Sequence, residues 1–301
     1  MNPDWASITP VIEKEILHHD IFSVMVESGV MDRLTFIGGT SLRLCYNSSR
    51  LSEDLDFNAG YDFNPSSFAG LEVEIQEFLQ AKYEMDVRVN EPSQLKQGDT
   101  VSWTVSIERV PSRLDIQRQK IHIDVCAIPS FDIERRPLLN HYQLDVPTSG
   151  LLVPVQSLSE ALVDKVVAFA YRARRIEPRD VWDLIWIQSR GIELSQPILE
   201  NKLRARGLDR DDFKHCLAAQ CIQLLLGDQV RLDFQAEMSR FIPRHIQERT
   251  IDTPEYWPYI QTTIQELVDQ ICAEMPKTMR TSWTNATTAP TENLNWNRNA
   301  T

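Results

Sequence analysis

The chain of 301 residues carries 31 lysine and arginine residues against 43 aspartate and glutamate residues, which gives a net charge of −12. At about 150 residues per domain, this length predicts two domains. A composition of 42% hydrophobic and 25% charged residues is typical of a globular protein. Because an acidic surface repels phosphate backbones, a protein that coats nucleic acid is excluded, and only a local basic patch could hold RNA or DNA.

The sequence has no features of a membrane or secreted protein. It lacks an apolar stretch of about 18 residues, the length that spans a bilayer, and residues 1–20 lack the basic start and apolar run of a signal peptide. The five cysteines are odd in number, widely spaced and without a CxxC pair, which favours buried thiols in a reducing compartment. We therefore expect a soluble, cytoplasmic protein with no membrane partner.

The elements predicted in chain order fall into two groups. The first mixes periodicities of helices and strands: helices over 11–30, 42–46 and 68–82, strands over 34–37, 54–58, 87–89, 101–107 and 120–128, and a hairpin loop over 91–100. From residue 157 only helical spacing remains, over 158–175, 178–190, 198–206, 211–226, 232–241 and 256–275. A turn-rich segment at 147–150 sets the predicted boundary, giving domains 1–150 and 151–276. The Thr- and Asn-rich tail 277–301 is predicted to be disordered.

Two carboxylates and a glycine pair lie close together in the first domain. Asp54 and Asp56 alternate with apolar residues, so they share one face of a strand and can converge on a divalent metal ion. Gly38 and Gly39 lack Cβ atoms and let the backbone approach a ligand. A helix starting after Thr40 would favour phosphate at its N-terminus. Together these features predict a nucleoside triphosphate site, whereas each alone fits a glycine turn or an exposed polar strand.

A third carboxylate lies on a later strand. In residues 120–125 the β-branched side chains take the core face, which places Asp124 and His122 on the other face. If this strand lies beside that of Asp54, Asp124 completes a three-carboxylate site, where mutual repulsion calls for cations. Carboxylate oxygens near phosphate indicate Mg²⁺ or Mn²⁺. The alternative is a polar residue on a solvent face, and His122 is expected to be structural.

The helical part contributes a lysine and an arginine-rich segment. Lys165 lies on an apolar helical stripe, so its side chain either extends to solvent or points into a site between domains. Asp180 and Asp183 follow Pro178, where acidic residues stabilise a helix N-terminus. Four arginines over 172–179 form the best local patch for triphosphate or nucleic acid, although a solvated helix end explains them equally well.

These segments resemble the AbiEii/AbiGii-type nucleotidyltransferase toxins. The resemblance rests on residues 38–43 (GGTSLR) and 50–57 (RLSEDLDF), with Lys165 and residues 179–184 (RDVWDL) in the expected order. It implies an α/β (α+β) polymerase-beta-like nucleotidyltransferase fold, a mixed sheet flanked by helices and followed by an all-helical C-terminal domain. It also implies the toxin of a type IV toxin–antitoxin, abortive-infection pair, with a cognate antitoxin repressor encoded nearby.

The same resemblance implies roles for individual residues. Asp54 and Asp56 would hold Mg²⁺ or Mn²⁺, and Asp124 is matched to the site by its strand context. The triphosphate of the NTP would be positioned by Gly39, Thr40, Ser41 and Arg43, and Lys165 would contact its phosphates with Asp180 alongside. The acceptor implied is RNA, such as a tRNA end.

Two other functions stay open at this stage. A small-molecule nucleotidyltransferase that modifies an antibiotic would suit the acidic surface, because its acceptor would be cationic. A non-catalytic nucleotide-binding partner protein would act by association, although the three retained acids count against it.

Overall fold

The computed structural model describes residues 9–90, 100–108, 118–172 and 174–273. Most of the predicted hairpin loop and the whole tail 277–301 lie outside these ranges. Short 3₁₀ helices occur at Val30–Arg33 and Pro65–Phe68. The longer helices and the strands have the following bounds: α1 (Thr9–Glu27), β1 (Thr35–Ile37), α2 (Gly38–Tyr46), β2 (Leu55–Asn58), α3 (Leu71–Tyr83), β3 (Val87–Asn90), β4 (Thr100–Ile107), β5 (Gln119–Cys126), β6 (Ile133–Pro137), β7 (Leu152–Gln156), α4 (Leu158–Tyr171), α5 (Pro178–Gln188), α6 (Gln196–Ala205), α7 (Arg210–Leu226), α8 (Asp228–Met238), α9 (Arg244–Gln247) and α10 (Tyr256–Ala273).

One mixed sheet organises the first part of the chain. Its strand order is β3-β4-β5-β2-β1-β7-β6. Strand β2 runs parallel to β5, β1 runs parallel to β7, and the other neighbours are antiparallel. The register sets Ile37 of β1 opposite Asp56 of β2, and Asp56 opposite Asp124 of β5. The predicted neighbourhood of the Asp54 and Asp124 strands is therefore confirmed.

The two faces of the sheet differ in exposure. Residues of β4 alternate between buried and half-exposed, with Trp103 on the buried face and Thr104 on the other. On the buried side Phe22 of α1 packs edge-on against Phe36 of β1 and Phe57 of β2, with ring centroids 4.8 and 5.7 Å apart. Aromatic side chains in such contacts bury large apolar areas. The core thus lies under α1 and leaves the opposite face of β4 and β5 polar.

The sheet extends further along the chain than the sequence indicated. Strands β6 and β7 were not predicted, and β7 pairs with β1 beyond the boundary placed at residue 150. Pro154 lies within β7 and Pro137 ends the edge strand β6. Proline lacks the N–H donor of a strand ladder, so a proline within a segment argues against predicting a strand there from the sequence. The change from sheet to helices therefore falls between Gln156 and Leu158.

Helices account for the rest of the described chain, as predicted, with the short α9 as an addition. Ser157 caps α4 by accepting the backbone N–H of Glu160 at 3.1 Å. A buried ion pair, Lys202 to Glu160 at 2.6 Å, ties α6 to α4. The second oxygen of the Glu160 carboxylate accepts the backbone N–H of Phe131 at 2.8 Å, which anchors the loop after β5 to this helical part.

Candidate active site

The glycine pair forms a sharp link between β1 and α2. Gly38 has a φ of +78°, and a Cβ atom added there would collide with the carboxylate of Asp56. Only glycine fits this conformation and this close approach without strain. Ile37 provides no side-chain cap to α2, so the first backbone N–H groups of the helix are available to an anion. The start of α2 therefore lies directly against Asp56.

The three acids predicted from the sequence occupy one end of this sheet. Asp56 and Asp124 are paired across β2 and β5, so their side chains project from the same face. The Asp54 Oδ1 atom accepts the backbone N–H of His122 in β5 at 2.9 Å. The hydroxyl of Thr40 donates to the Asp54 carbonyl oxygen at 2.5 Å. Both contacts fix Asp54 between α2 and β5.

Asp124 lies in an environment that disfavours its charged form. It is buried, and its Oδ1 atom has no hydrogen-bond partner. Burial raises the pKa of Asp124, and the charge of Asp54 raises it further, while a hydrogen bond with Ser102 acts in the opposite direction. A buried carboxylate oxygen without a partner is unfavourable unless a proton or a cation compensates it.

The donor set fits a hard divalent cation, because carboxylate oxygens are the ligands such ions prefer. The orphaned oxygen of Asp124 is the structural feature that such an ion would satisfy. In the described ranges, no three carboxylate, imidazole or thiol groups already stand close enough to form a metal site. Asp54, Asp56 and Asp124 are the residues that could hold the ion, and they would have to move closer together to bind it jointly.

A chain of alternating charges connects the glycine turn to the helical part. The Arg50 Nη2 atom occupies the space that a Cβ on Gly39 would need. The Arg50 guanidinium forms two 2.8 Å hydrogen bonds with Asp183. Lys165 then lies 2.9 Å from Asp183 and 2.9 Å from Asp180, and Arg172 completes the chain 2.9 Å from Asp180.

We call this set the charge chain. Its three cations and two anions leave a net charge of +1 (3 − 2) beside the start of α2. Burial by itself raises the pKa of Asp183, but the charges of Arg50 and Lys165 outweigh it and lower the pKa to about 2. Burial likewise lowers the pKa of Lys165, and Asp183 and Asp180 more than restore it. The chain is therefore ionised at neutral pH.

Lys165 and Asp180 are thus brought together, and neither of the simpler interpretations holds. Lys165 is only 7% exposed, so its side chain points inward and does not extend to solvent. Asp180 and Asp183 are buried and form ion pairs with Lys165 and Arg50. Their role is therefore not limited to stabilising the N-terminus of α5. The ammonium of Lys165 is already held by two carboxylates.

Arg43 and the two hydroxyls of α2 are engaged differently from the prediction. The Arg43 Nε atom lies 3.1 Å from both carboxylate oxygens of Glu15 in α1, and its Nη1 donates to the carbonyl oxygen of Ser48. Ser41 donates its hydroxyl to the Gly38 carbonyl oxygen at 2.8 Å, and Thr40 binds the Asp54 carbonyl. Arg43 is therefore a buried structural cation, and Thr40 and Ser41 could contact phosphate through their backbone N–H groups but not through their hydroxyls.

The arginine-rich segment at 172–179 is largely neutralised. Arg179 contacts Glu177 and Glu237, each at 3.3 Å, and Arg175 pairs with the same two acids at 3.5 and 2.9 Å. Arg172 belongs to the charge chain. Three of the four arginines thus have acidic partners, which weakens this segment as a patch for nucleic acid.

Sequence reasoning missed the roles of Arg50, Asp183 and the His122 backbone. Arg50 was noted only as part of the 50–57 motif, and Asp183 only as a helix-terminal acid. A buried arginine and its partner lie far apart in the sequence, so no local periodicity indicates the pair. The RDVWDL segment, with two acids one helical turn apart, was the available signal.

Comparison with known proteins places this site in a family. The family model described as nucleotidyl transferase AbiEii toxin, type IV TA system, matches residues 20–277. The chain belongs to the AbiEii nucleotidyltransferase toxin family. This AbiEii-family protein is accordingly a nucleotidyltransferase toxin of a toxin–antitoxin system, which implies an NTP substrate, a divalent metal ion and an antitoxin partner. Among curated protein sequences, none matches the chain.

Three solved structures are similar to this chain at 13–18% identity. A candidate nucleotidyltransferase from Helicobacter pylori has a TM-score of 0.50 at 13% identity, over 87% of this chain and 96% of its own. JHP933 from Helicobacter pylori reaches 0.49 at 14% identity, over 87% and 94%. MenT4, a nucleotidyltransferase toxin from Mycobacterium tuberculosis, reaches 0.49 at 18% identity, over 88% and 86%.

The described part of this AbiEii-family protein includes no helix long and apolar enough to cross a lipid bilayer.

Proposed function

We propose that this AbiEii-family protein is a cytoplasmic, Mg²⁺- or Mn²⁺-dependent toxin that transfers a nucleotide from an NTP to the end of an RNA such as a tRNA. An antitoxin repressor encoded nearby would be its cognate partner in abortive infection. The observation that supports the proposal best is the contact between Gly38 and Asp56, because it joins an open helix N-terminus to the acidic site.

Each residue group has a defined task in this reaction. The backbone N–H groups at the start of α2, from Gly38 to Ser41, bind the β- and γ-phosphates. The net positive charge chain beneath Gly39, with Lys165 at its centre and Asp180 alongside, offsets the negative charge of the departing pyrophosphate. Asp54, Asp56 and Asp124 would hold the divalent ion, which when bound lowers the pKa of a hydroxyl and stabilises leaving oxygens.

The bonds change in a single displacement. The acceptor hydroxyl oxygen forms a bond to the α-phosphorus, and the bond from the α-phosphorus to the bridging oxygen breaks, so pyrophosphate leaves. We assign receipt of the hydroxyl proton to Asp124, whose Oδ1 atom has no hydrogen-bond partner. Burial favours its protonated form and thus this role.

Labelled nucleotides test the proposal. The wild-type protein is incubated with total RNA, divalent cation and each NTP labelled at the α- or the γ-phosphate. We expect label in a small-RNA band from the α-labelled NTP only, and none with the Asp54→Ala variant, whose fold should be intact. Equal incorporation by Asp54→Ala would contradict the proposal.

A second candidate, transfer to a small cationic acceptor, is favoured by the net charge of −12 and by the neutralised arginine segment. The same incubation with aminoglycosides in place of RNA distinguishes the two. Label in the aminoglycoside and not in RNA would favour this candidate.

A further inference from the structure

An open polar face extends from the acids across β5 and β4. Residues opposite each other in this antiparallel pair share a face: Ser102 with Asp124, Thr104 with His122, and Ser106 with Lys120. The serine and threonine side chains of β4 are half-exposed, His122 is half-exposed, and Lys120 is exposed. We call Ser102, Thr104, Ser106, Lys120 and His122 the donor strip.

Two members of the donor strip, Thr104 and His122, contact each other. The Nδ1 atom of His122 lies 3.2 Å from the hydroxyl of Thr104, which fixes the plane of the ring. Within the described part of the chain, the Nε2 atom of His122 makes no hydrogen bond, and Lys120 forms no ion pair. The backbone N–H of His122, and not its side chain, holds Asp54, so the imidazole can be changed without releasing that acid.

The charge of this face differs from that of the whole chain. Beyond the strip, Arg118 donates to Ser106 at 3.1 Å and to Asp86 at 2.8 Å, and Arg88 binds the same carboxylate at 3.0 Å. Among the described residues of this outer end, the cations are Arg88, Arg118 and Lys120, and the carboxylates are Asp86 and Glu108. The row of hydroxyls therefore ends at a group of residues with a net charge of +1 (3 − 2), in a protein whose net charge is −12.

Hydroxyl, imidazole and ammonium groups are the side chains that bind phosphate and sugar oxygens. None of the five strip residues is a carboxylate, although carboxylates flank the strip at both ends. None of the five is a large aromatic residue of the kind that stacks bases. The four residue-to-residue steps from Asp124 to Lys120 span about 13 Å, which is long enough for more than one nucleotide. The chemistry therefore matches a sugar–phosphate backbone that runs away from the reacting end.

We propose that the donor strip is the acceptor-strand site of this enzyme, with the 3′ end of a single-stranded RNA at Asp124, its terminal ribose hydrogen-bonded to His122 Nε2 and a phosphate on Lys120. This inference rests on the proposed function. Because the contacts are to the backbone, the strip selects a polynucleotide and not a base sequence.

Steady-state kinetics with an RNA acceptor test the site. We expect Lys120→Ala and His122→Ala each to raise KM for the acceptor about tenfold, the effect of losing one charge-assisted or well-placed hydrogen bond. kcat at saturating acceptor and KM for the NTP should stay unchanged. Lys120→Arg and His122→Gln keep a donor and should restore much of the affinity. Arg231→Ala, an exposed arginine on α8, is the matched control.

Binding of a labelled single-stranded RNA without turnover gives a second readout. One phosphate contact on a single strand contributes about 0.7 to the slope of log K against log salt concentration. Lys120→Ala should lower the magnitude of the slope by about 0.7, whereas Arg231→Ala should leave it unchanged.

The outcomes separate the two proposals. If the wild type labels RNA but the strip variants match it in acceptor KM and salt slope, the acceptor-strand site is wrong and the proposed function stands. If the wild type labels no RNA, the proposed function and the strip assignment both fail. An unchanged circular dichroism spectrum and melting temperature exclude misfolding as the cause of a raised KM.

Discussion

The ion pair between Arg50 and Asp183 holds α5 beneath the glycine turn. Its removal should lower the free energy of unfolding of the protein. The side chains are 2% and 1% exposed, and two 2.8 Å hydrogen bonds join them. Removing one partner of such a buried pair destabilises a protein by about 3–5 kcal/mol, because the remaining charge stays buried. The total free energy of unfolding of a protein is about 5–15 kcal/mol, so Arg50→Met should lose a large fraction of it.

Urea and thermal unfolding measure this loss. An unfolding entropy of about 2.1 cal/mol/K per residue corresponds to about 1.6 °C per kcal/mol for a chain of 301 residues. The melting temperature of Arg50→Met should therefore fall by about 5–8 °C. Arg88→Met is the matched control, because the Arg88 side chain is 70% exposed and such surface pairs contribute about 0–1 kcal/mol.

The loss should also depend on pH. Asp183 has a pKa lowered from 3.8 to about 2, so its stabilising contribution is complete above about pH 4 and disappears as the pH falls through 2. The difference between wild type and Arg50→Met should therefore narrow over that range. A loss below 1 kcal/mol at pH 7, or a difference independent of pH, would refute the reasoning.

Three further changes have defined outcomes. Gly38→Ala should abolish nucleotide transfer and lower the melting temperature, because the new methyl group collides with the Asp56 carboxylate at a φ of +78°; full activity of this variant would exclude the close approach. Asp124→Asn should raise the melting temperature in EDTA at pH 7, because burial raises the pKa of the acid and its ionised form is unfavourable; scans at pH 3 should show the gain disappear. Arg43→Ala should destabilise the fold, since Glu15 is left buried without its cation, while KM for the NTP stays the same; a raised KM, measured well below the melting temperature, would instead place Arg43 on the phosphates.

The parts of the site that local sequence encodes were predictable. An apolar run that ends in two glycines fixes the link from β1 to α2, and the alternation around Asp54 and Asp56 fixes the face of β2 that carries the carboxylates, although that face is buried in the structure. Asp124 was predictable for the same reason, since β-branched neighbours define the core face of β5. These inferences need only the two-residue period of a strand.

Long-range pairing was not predictable from the same patterns. Glu15 and Arg43 are 28 positions apart, and Arg50 and Asp183 are 133 positions apart, so nothing in either neighbourhood specifies the partner. The strand β7 was missed because Pro154 interrupts its pattern of alternating valines. The family motif placed Lys165 and Asp180 together, but only the packing of α4 against α5 shows that two carboxylates hold the lysine.

Binding of Mn²⁺ is the most direct test of whether the acids at the glycine turn form one cation site. The unbound ion is followed by electron paramagnetic resonance in the presence of a non-hydrolysable NTP analogue. Asp56→Asn is measured beside the wild type, and the control is Asp86→Asn, a half-exposed acid that lies outside the site. The account predicts that Asp56→Asn weakens Mn²⁺ binding at least about tenfold, the loss of one charged ligand, while Asp86→Asn binds like the wild type. Equal affinity of Asp56→Asn and the wild type would contradict it.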